Sequence, residues 1–212
     1  MDGPHLVYFA DPMCSWCWGF SPVIQAVRQR FGAALPIRLV LGGLRPGTTK
    51  PMDDRAKQDI RAHWEHVRDA SGQPFDFAFF DREGFVYDTD PAARAVVAVR
   101  RSGMEPALDY LALVQKAFYA RNRDVTDEAV LASLAEEAGL ERDGFLAVFR
   151  NEETKTETWR DYAIAHQAGI TGFPTLIAGE GGSNHYAEVT RGYQPAERVV
   201  PLVENWLATH SP

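Results

Sequence analysis

The chain has 212 residues, of which 45% are hydrophobic and 24% charged, as is typical of a soluble globular protein. This length allows one large domain, or one domain that carries a substantial insertion. The 22 basic and 29 acidic residues give a net charge of −7, which argues against nucleic acid or an anionic membrane as a partner.

The N-terminal part of the chain predicts a strand, a helix and a second strand. Residues 6–10 are rich in β-branched and aromatic side chains, which favours a strand. After Asp11-Pro12, apolar residues recur at helical spacing as far as Gly32, where the helix should end. Residues 36–41 indicate another strand, so the two strands of this βαβ unit should be parallel. Residues 42–51 are rich in glycine and proline, as is typical of a linker.

Helices dominate the predicted structure of the middle of the chain. Helical patterns cover residues 53–70, 90–103, 108–119 and 126–139, with a short helix around 145–149, and the whole block is expected to be helical. Asp90 is predicted to cap its helix, with Pro91 in the first turn. A helix over residues 153–168 should then return the chain to the sheet.

The C-terminal part predicts strands over residues 174–178 and 186–191, joined by a turn over 179–183, and a final amphipathic helix over 195–208. The order of elements is therefore βαβ, a helical block, and αββα. We interpret this order as one α/β domain formed by residues 1–47 and 153–212. The helical block, residues 48–152, is then an insertion into that domain.

The first residues lack the features of a targeting signal. Asp2 stands where a signal peptide carries positive charge, and the apolar run over residues 6–10 is too short for a signal sequence. Charged residues interrupt the longer apolar stretches, so we expect no membrane-spanning segment. The sequence therefore predicts a cytoplasmic protein, as a monomer or a homodimer.

The chain has two cysteines, Cys14 and Cys17, which Ser15 and Trp16 separate where the first strand meets the first helix. Unpaired N–H groups and the helix dipole stabilise a thiolate at such a position, and the thiolate is the form that attacks disulfides. The short spacing lets the second thiol break the resulting mixed disulfide. A bridge over so small a loop stabilises a fold little, so the pair is predicted to be a redox centre.

A second motif lies far downstream, where Phe173 precedes Pro174 at the start of an apolar strand. An aromatic residue before a proline in this position is a candidate for a cis peptide bond. The alternative is a trans proline that opens an edge strand.

Together these motifs resemble thioredoxin-fold proteins, in which a cis-proline lies against the CxxC motif. Pro22 matches the proline that kinks the first helix in many thioredoxins, and the helical block is similar to that of the DsbA family. The stretch FADPMCSWCWGF resembles the FrnE-like branch of that family. The resemblance implies a DsbA-like thioredoxin fold with a large helical insertion, and the activity of a thiol–disulfide oxidoreductase.

The resemblance also implies a role for each residue of the two motifs. Cys14 would attack the substrate and Cys17 would resolve the mixed disulfide. Pro174 would be the cis-proline that turns the backbone of Phe173 toward the cysteines, where it can pair with an extended peptide. Phe173 replaces the smaller residue that is more common there, which affects substrate preference and redox potential.

Three nearby residues have weaker signals. Trp16 is a candidate hydrophobic platform for substrate, and Ser15 is expected to tune the reactivity of the cysteines. Asp11 is interpreted as a turn residue before Pro12, with a proton shuttle for the second cysteine as the alternative. No bound cofactor or metal is expected beyond the cysteine pair itself, with glutathione as a candidate co-substrate. The expected partners are protein or small-molecule thiols and disulfides.

Two alternative functions remain open from the sequence. Kappa-class glutathione transferases and the related chromene-carboxylate isomerases resemble this fold, but they use a single Ser or Cys nucleophile. A redox-regulated or metal-holding binding module is the second alternative, in which His63 and His66 would complete a zinc site with the cysteines. The more ordinary interpretation places both histidines on the exposed face of a charged helix.

Overall fold

A mixed four-stranded sheet lies at the centre of the computed structural model, which describes residues 3–181 and 185–210. The strands are β1 (His5–Ala10), β2 (Ile37–Leu41), β3 (Thr175–Gly179) and β4 (Tyr186–Arg191), in the spatial order β2-β1-β3-β4. β1 is parallel to β2 and antiparallel to β3, and β4 is antiparallel to β3. The C-terminal end of β1 therefore lies beside the start of β3, although the two strands are far apart in the chain.

Helices account for most of the remaining structure. They are α1 (Ser15–Phe31), α2 (Asp54–Ser71), α3 (Asp90–Arg100), α4 (Met104–Arg121), α5 (Glu128–Glu137), α6 (Arg142–Arg150), α7 (Glu152–Gln167) and α8 (Ala196–His210). The predicted α/β fold, with βαβ and αββα parts around a helical block, is confirmed. The division into two domain segments and an insertion stays a prediction.

Both faces of β1 are buried, and alternate residues point to opposite faces of the sheet. Leu6, Tyr8 and Ala10 belong to the main core, which includes α1 and continues into the middle helices. Val7 and Phe9 face the other side, where they pack in a smaller cluster that includes a residue of α7. The strand that leads to the cysteines is therefore held rigidly between two helical layers.

The expectation that the whole middle block is helical is wrong for residues 72–89. Gly72 ends α2 in a left-handed conformation, and Pro74 follows it. The segment then runs without an α-helix, apart from a single 3₁₀ turn at Phe77–Asp81. Thr89, rather than Asp90, is the N-cap residue of α3. Residues 182 and 183 of the predicted turn over 179–183 lie outside the described residues.

An ion-pair network fastens the middle helices to the sheet. Arg100 of α3 donates to both carboxylate oxygens of Asp161 in α7, at 2.7 and 3.2 Å. The same carboxylate accepts the backbone N–H of Leu41 in β2 at 2.9 Å. Arg100 also donates to the carbonyl of Leu39 at 3.1 Å and pairs with Glu157 at 2.9 Å. Three elements from distant parts of the chain therefore meet at one buried carboxylate.

Candidate functional site

Cys14 is the N-cap residue of α1, in an extended conformation. Within the part of the chain that the structure describes, no side chain caps this end of the helix, and the first turn contains no acidic residue. The first N–H groups of a helix lack intrahelical partners and carry partial positive charge. The Cys14 sulfur therefore lies at the N-terminus of α1, next to N–H groups that no side chain of the first turn neutralises.

The two cysteines differ in accessibility. Both are free thiols, Cys14 with 7% of its surface exposed and Cys17 with none. Burial raises the pKa of Cys17 well above its usual range, and hydrogen bonding with Cys14 and the charge of that residue raise it further. A nearby backbone N–H of Asp11 acts in the opposite direction. Cys17 is therefore held as a protonated thiol beneath Cys14, which is the one that reaches the surface.

The structure brings the second motif directly against the first. The peptide bond between Phe173 and Pro174 is cis, and the Cys14 thiol donates to the Phe173 carbonyl at 3.5 Å. Pro174 is buried and Phe173 is half-buried. Among the described residues, no backbone acceptor takes the N–H of Phe173. The N–H of Phe173 is thus available to a substrate, in the residue whose carbonyl contacts the nucleophile.

Ser15 and Trp16 lie at the margin of a groove of about 290 Å³ that opens over Cys14. Both side chains are half-buried, and the Trp16 ring packs against Tyr193 with centroids 5.7 Å apart. The other residues that line the groove are Met13, Leu44, Arg45, Ile60, His63, Trp64, Tyr87, Gly172 and Phe173. All the site residues expected from the sequence therefore lie at this groove, except the buried Cys17 and Pro174 just behind it.

Asp11 is completely buried below the site. Its carboxylate accepts the backbone N–H of Met13 at 2.9 Å and that of Leu44 at 2.8 Å. Burial raises its pKa to about 6, although these two hydrogen bonds favour the charged form. The charge of Asp11 also raises the pKa of Cys17, so the two groups are electrostatic neighbours. Asp11 therefore joins the turn before Cys14 to the loop after β2.

Sequence reasoning missed two tyrosines beneath the cysteines. The Tyr87 hydroxyl donates to the carbonyl of Met13 at 2.8 Å, which fixes the residue before Cys14. Burial, followed by the charges of Cys17 and Cys14, raises the pKa of Tyr8. Nothing in the sequence separates these residues from ordinary core aromatics, because their contacts depend on how distant segments pack.

Gly42 was part of the predicted linker, but it follows β2 directly and donates its N–H to the carbonyl of Ala10 at 2.8 Å. A Cβ at this position would lie 2.1 Å from the ring of Phe173. We expect Gly42→Ala to displace that ring and destabilise the fold by about 1–3 kcal/mol, the usual cost of overpacking. Urea denaturation followed by circular dichroism measures the change.

The matched control for this substitution is Gly172→Ala, one residue before Phe173, where an added Cβ meets no heavy atom of the described residues within 4 Å. Its free energy of unfolding should stay within about 0.5 kcal/mol of the wild type. Equal stability of the two variants would show that the Phe173 ring is not confined by Gly42.

His63 and His66 do not meet the cysteines in a metal-binding arrangement. Both histidines are exposed on α2, and His63 also lies at the groove. Over residues 3–181 and 185–210, no group of three or more His, Cys, Asp or Glu side chains is placed to hold a metal ion. In the same ranges, no helix has the length and hydropathy needed to cross a membrane.

The fold and the paired motifs define a class of protein. The model of the DSBA-like thioredoxin domain family matches residues 5–199, and the chain belongs to that family. Its fold is that of the DsbA-like thiol–disulfide oxidoreductases. The FrnE-like branch stays a prediction.

Among solved structures, a candidate protein disulfide isomerase from Nitrosomonas europaea is 38% identical, with a TM-score of 0.91 over 99% of this chain and 100% of that one. The cytosolic disulfide reductase DsbM from Pseudomonas aeruginosa is 27% identical, with a TM-score of 0.81 over 97% and 99% of the two chains. A structure of the same reductase with GSH has a TM-score of 0.77 at 26% identity, over 96% and 99%.

The curated relatives are more distant. The ClpXP adapter protein SpxH from Bacillus subtilis (strain 168) is 25% identical over 173 residues, which make up 81% of this chain. The chain spans 57% of the length of that relative. The similarity therefore concerns the shared domain only. The activity of the longer protein is not assigned to this chain.

Proposed function

We propose that this chain is a cytoplasmic thiol–disulfide oxidoreductase in which Cys14 attacks and Cys17 resolves. The observation that supports it is the contact between the Cys14 thiol and the carbonyl of Phe173, next to Pro174. This contact puts a sulfur with 7% of its residue's surface exposed, at a helix N-terminus, beside a residue whose backbone N–H has no backbone acceptor among the described residues. Thiolate chemistry and peptide binding would then occur at one point.

The proposed reaction exchanges one disulfide for another. The Cys14 thiolate attacks one sulfur of a substrate disulfide, the substrate S–S bond breaks, and one substrate thiolate leaves and takes a proton. Cys17 then loses its proton and attacks the Cys14 sulfur, which releases the second substrate thiolate. The protein pair ends as a disulfide, and its two electrons have reduced the substrate.

The proton of Cys17 needs an acceptor, because burial keeps this thiol protonated. Asp11 is the candidate, since it is buried beside Cys17 and has a pKa raised to about 6. Such a carboxylate is ionised at neutral pH and is a stronger base than an exposed one. We propose that Asp11 takes this proton, directly or through a water molecule, when the mixed disulfide is resolved.

A peptide substrate would bind by strand addition at Phe173, whose carbonyl contacts the Cys14 thiol and whose N–H has no backbone acceptor among the described residues. Pro174 has no N–H of its own, so it leaves this edge without a competing donor. Trp16 supplies apolar surface at the margin of the same groove. This arrangement suits an extended segment that carries a disulfide.

The direction of the reaction follows from the compartment. Cytoplasmic thiols are kept reduced, so we propose reduction or isomerisation of substrate disulfides rather than net oxidation. The similar cytosolic disulfide reductase DsbM has also been solved with GSH, and we propose glutathione as the thiol that returns the Cys14–Cys17 disulfide to the dithiol. Two glutathione molecules would supply the two electrons and leave as glutathione disulfide.

The variant Cys17→Ser tests the assignment of roles. Without a resolving thiol, the mixed disulfide on Cys14 should accumulate, because only an external thiol can then release the substrate. After incubation with glutathione disulfide, mass spectrometry should show one added glutathione per chain, which dithiothreitol removes.

The double variant with serine at both positions should gain no mass. A single Cys17→Ser variant that turned over at the wild-type rate would contradict the dithiol mechanism. It would favour the monothiol chemistry of the kappa-class glutathione transferases instead.

A further inference from the structure

The groove over Cys14 differs in charge from the rest of the molecule. The chain carries a net charge of −7, yet the described residues that line the groove include no aspartate or glutamate. They do include Arg45 and His63. The described lining of the groove therefore carries a permanent positive charge, on Arg45, and no carboxylate.

Arg45 is exposed, and none of the described carboxylates lies within ion-pair distance of it. Its guanidinium lies over the ring of Tyr87, 5.2 Å from the centroid. The hydroxyl of that tyrosine donates to the carbonyl of Met13, one residue before Cys14. The side chain of Tyr87 thus lies between the positive charge of Arg45 and the carbonyl of Met13, the residue before the nucleophile.

The backbone that carries Arg45 is fixed on both sides. The N–H of Leu44 donates to the buried carboxylate of Asp11 at 2.8 Å, and the N–H of Arg45 donates to the Thr89 hydroxyl at 3.0 Å. The backbone N–H of Thr89 returns a bond to the Arg45 carbonyl at 3.4 Å. A ligand that binds this guanidinium therefore does not have to order the loop, which lowers the entropic cost of binding.

We infer that Arg45 selects substrates that carry a carboxylate near their reacting sulfur. Arginine pairs with carboxylates through two parallel hydrogen bonds, and its stacking on Tyr87 leaves the edge of the guanidinium free for such a pair. The substrate class is then a small acidic thiol or disulfide, such as a γ-glutamyl peptide. This inference rests on the proposed disulfide exchange and assigns its specificity.

Three small disulfides of different charge test the inference: anionic glutathione disulfide, neutral bis(2-hydroxyethyl) disulfide and cationic cystamine. Each is mixed with the fully reduced protein, the reaction is stopped with acid, and alkylation with mass spectrometry gives the second-order rate constant for loss of the dithiol. Rates are expressed relative to the neutral disulfide, and each ratio is compared with that of the wild type. This comparison removes the intrinsic reactivities of the three compounds.

We expect Arg45→Gln to lower the ratio for glutathione disulfide about tenfold and to raise that for cystamine, since the lost contact is charge-specific. The matched control is Arg55→Gln, which removes an exposed arginine of α2 that does not line the groove. Its ratios should equal those of the wild type.

Ratios for Arg45→Gln within twofold of the wild type, or a loss that Arg55→Gln shares, would overturn the inference and leave disulfide exchange intact. A wild-type protein that reacts with none of the three disulfides would instead refute the proposed function. Raising the ionic strength from 0.05 to 0.5 M should weaken the preference for glutathione disulfide in the wild type and in Arg55→Gln but not in Arg45→Gln, because salt screens an exposed contact.

Discussion

Replacing Cys14 by serine should abolish disulfide reduction. Serine has no thiolate to attack the substrate, and the remaining Cys17 is fully buried, with a pKa raised well above the usual range. We expect the rate of insulin or glutathione disulfide reduction to fall at least about 1,000-fold, as when an enzyme loses its nucleophile. The assay is turnover in the presence of a thiol reductant, corrected for the uncatalysed rate.

The fold should survive this change, because serine is close in size to cysteine and the helix end then has a hydroxyl as cap. Circular dichroism and the free energy of unfolding of the reduced proteins should therefore agree with the wild type within about 1 kcal/mol. Substantial turnover by Cys14→Ser, with Cys17 as the only remaining thiol, would contradict the assignment of Cys14 as the attacking thiol.

The largest effect on stability should come from Asp161→Ala. The Asp161 side chain is 6% exposed and that of Arg100 is 13% exposed, so the substitution leaves a nearly buried charge without its main partner. It also leaves the N–H of Leu41 without an acceptor. Breaking one side of a buried pair costs about 3–5 kcal/mol, which in a chain of this size lowers Tm by roughly 10 °C.

Glu153→Ala is the matched control, because it removes another α7 carboxylate that faces an arginine of the same region. The pair of Glu153 with Arg101 is 3.6 Å long, and the two side chains are 76% and 41% exposed. Exposed pairs contribute at most about 1 kcal/mol. If the two variants unfolded at the same temperature, the Asp161 network would not be what holds the middle helices to the sheet.

The fold was predictable because its signals are local. The spacing between apolar residues is two in the strands and three or four in the helices. Its changes along the chain give the order of strands and helices around the sheet. The prediction failed over residues 72–89, where closely spaced aromatic residues and Pro74 do not form a helix. The aromatic residues of this segment pack around Trp64 of α2, whose ring stacks on Phe79 with centroids 4.9 Å apart. That packing depends on tertiary contacts that no short window of sequence contains.

The residues of the candidate site, likewise, could be predicted only where their signals are local in the sequence. The two cysteines and the Phe173-Pro174 pair are recognisable because their chemistry lies in adjacent residues. Gly42 and Arg45 are not, because each owes its place to the pairing of β1 with β2, and Tyr87 is not, because its contact with Met13 joins the segment before α3 to the turn after β1. Asp11 is intermediate, since its turn is visible in the sequence but its complete burial is not.

The contact between Cys14 and Phe173 joins residues 159 positions apart, which has a consequence during synthesis. At about 5–20 residues per second, a ribosome adds the residues between them in roughly 10–30 seconds. During that interval the nascent chain displays two ordinary thiols, without the loop that faces them in the finished protein. Premature exchange with other emerging chains is therefore limited, since the binding edge at Phe173 is translated only after both cysteines.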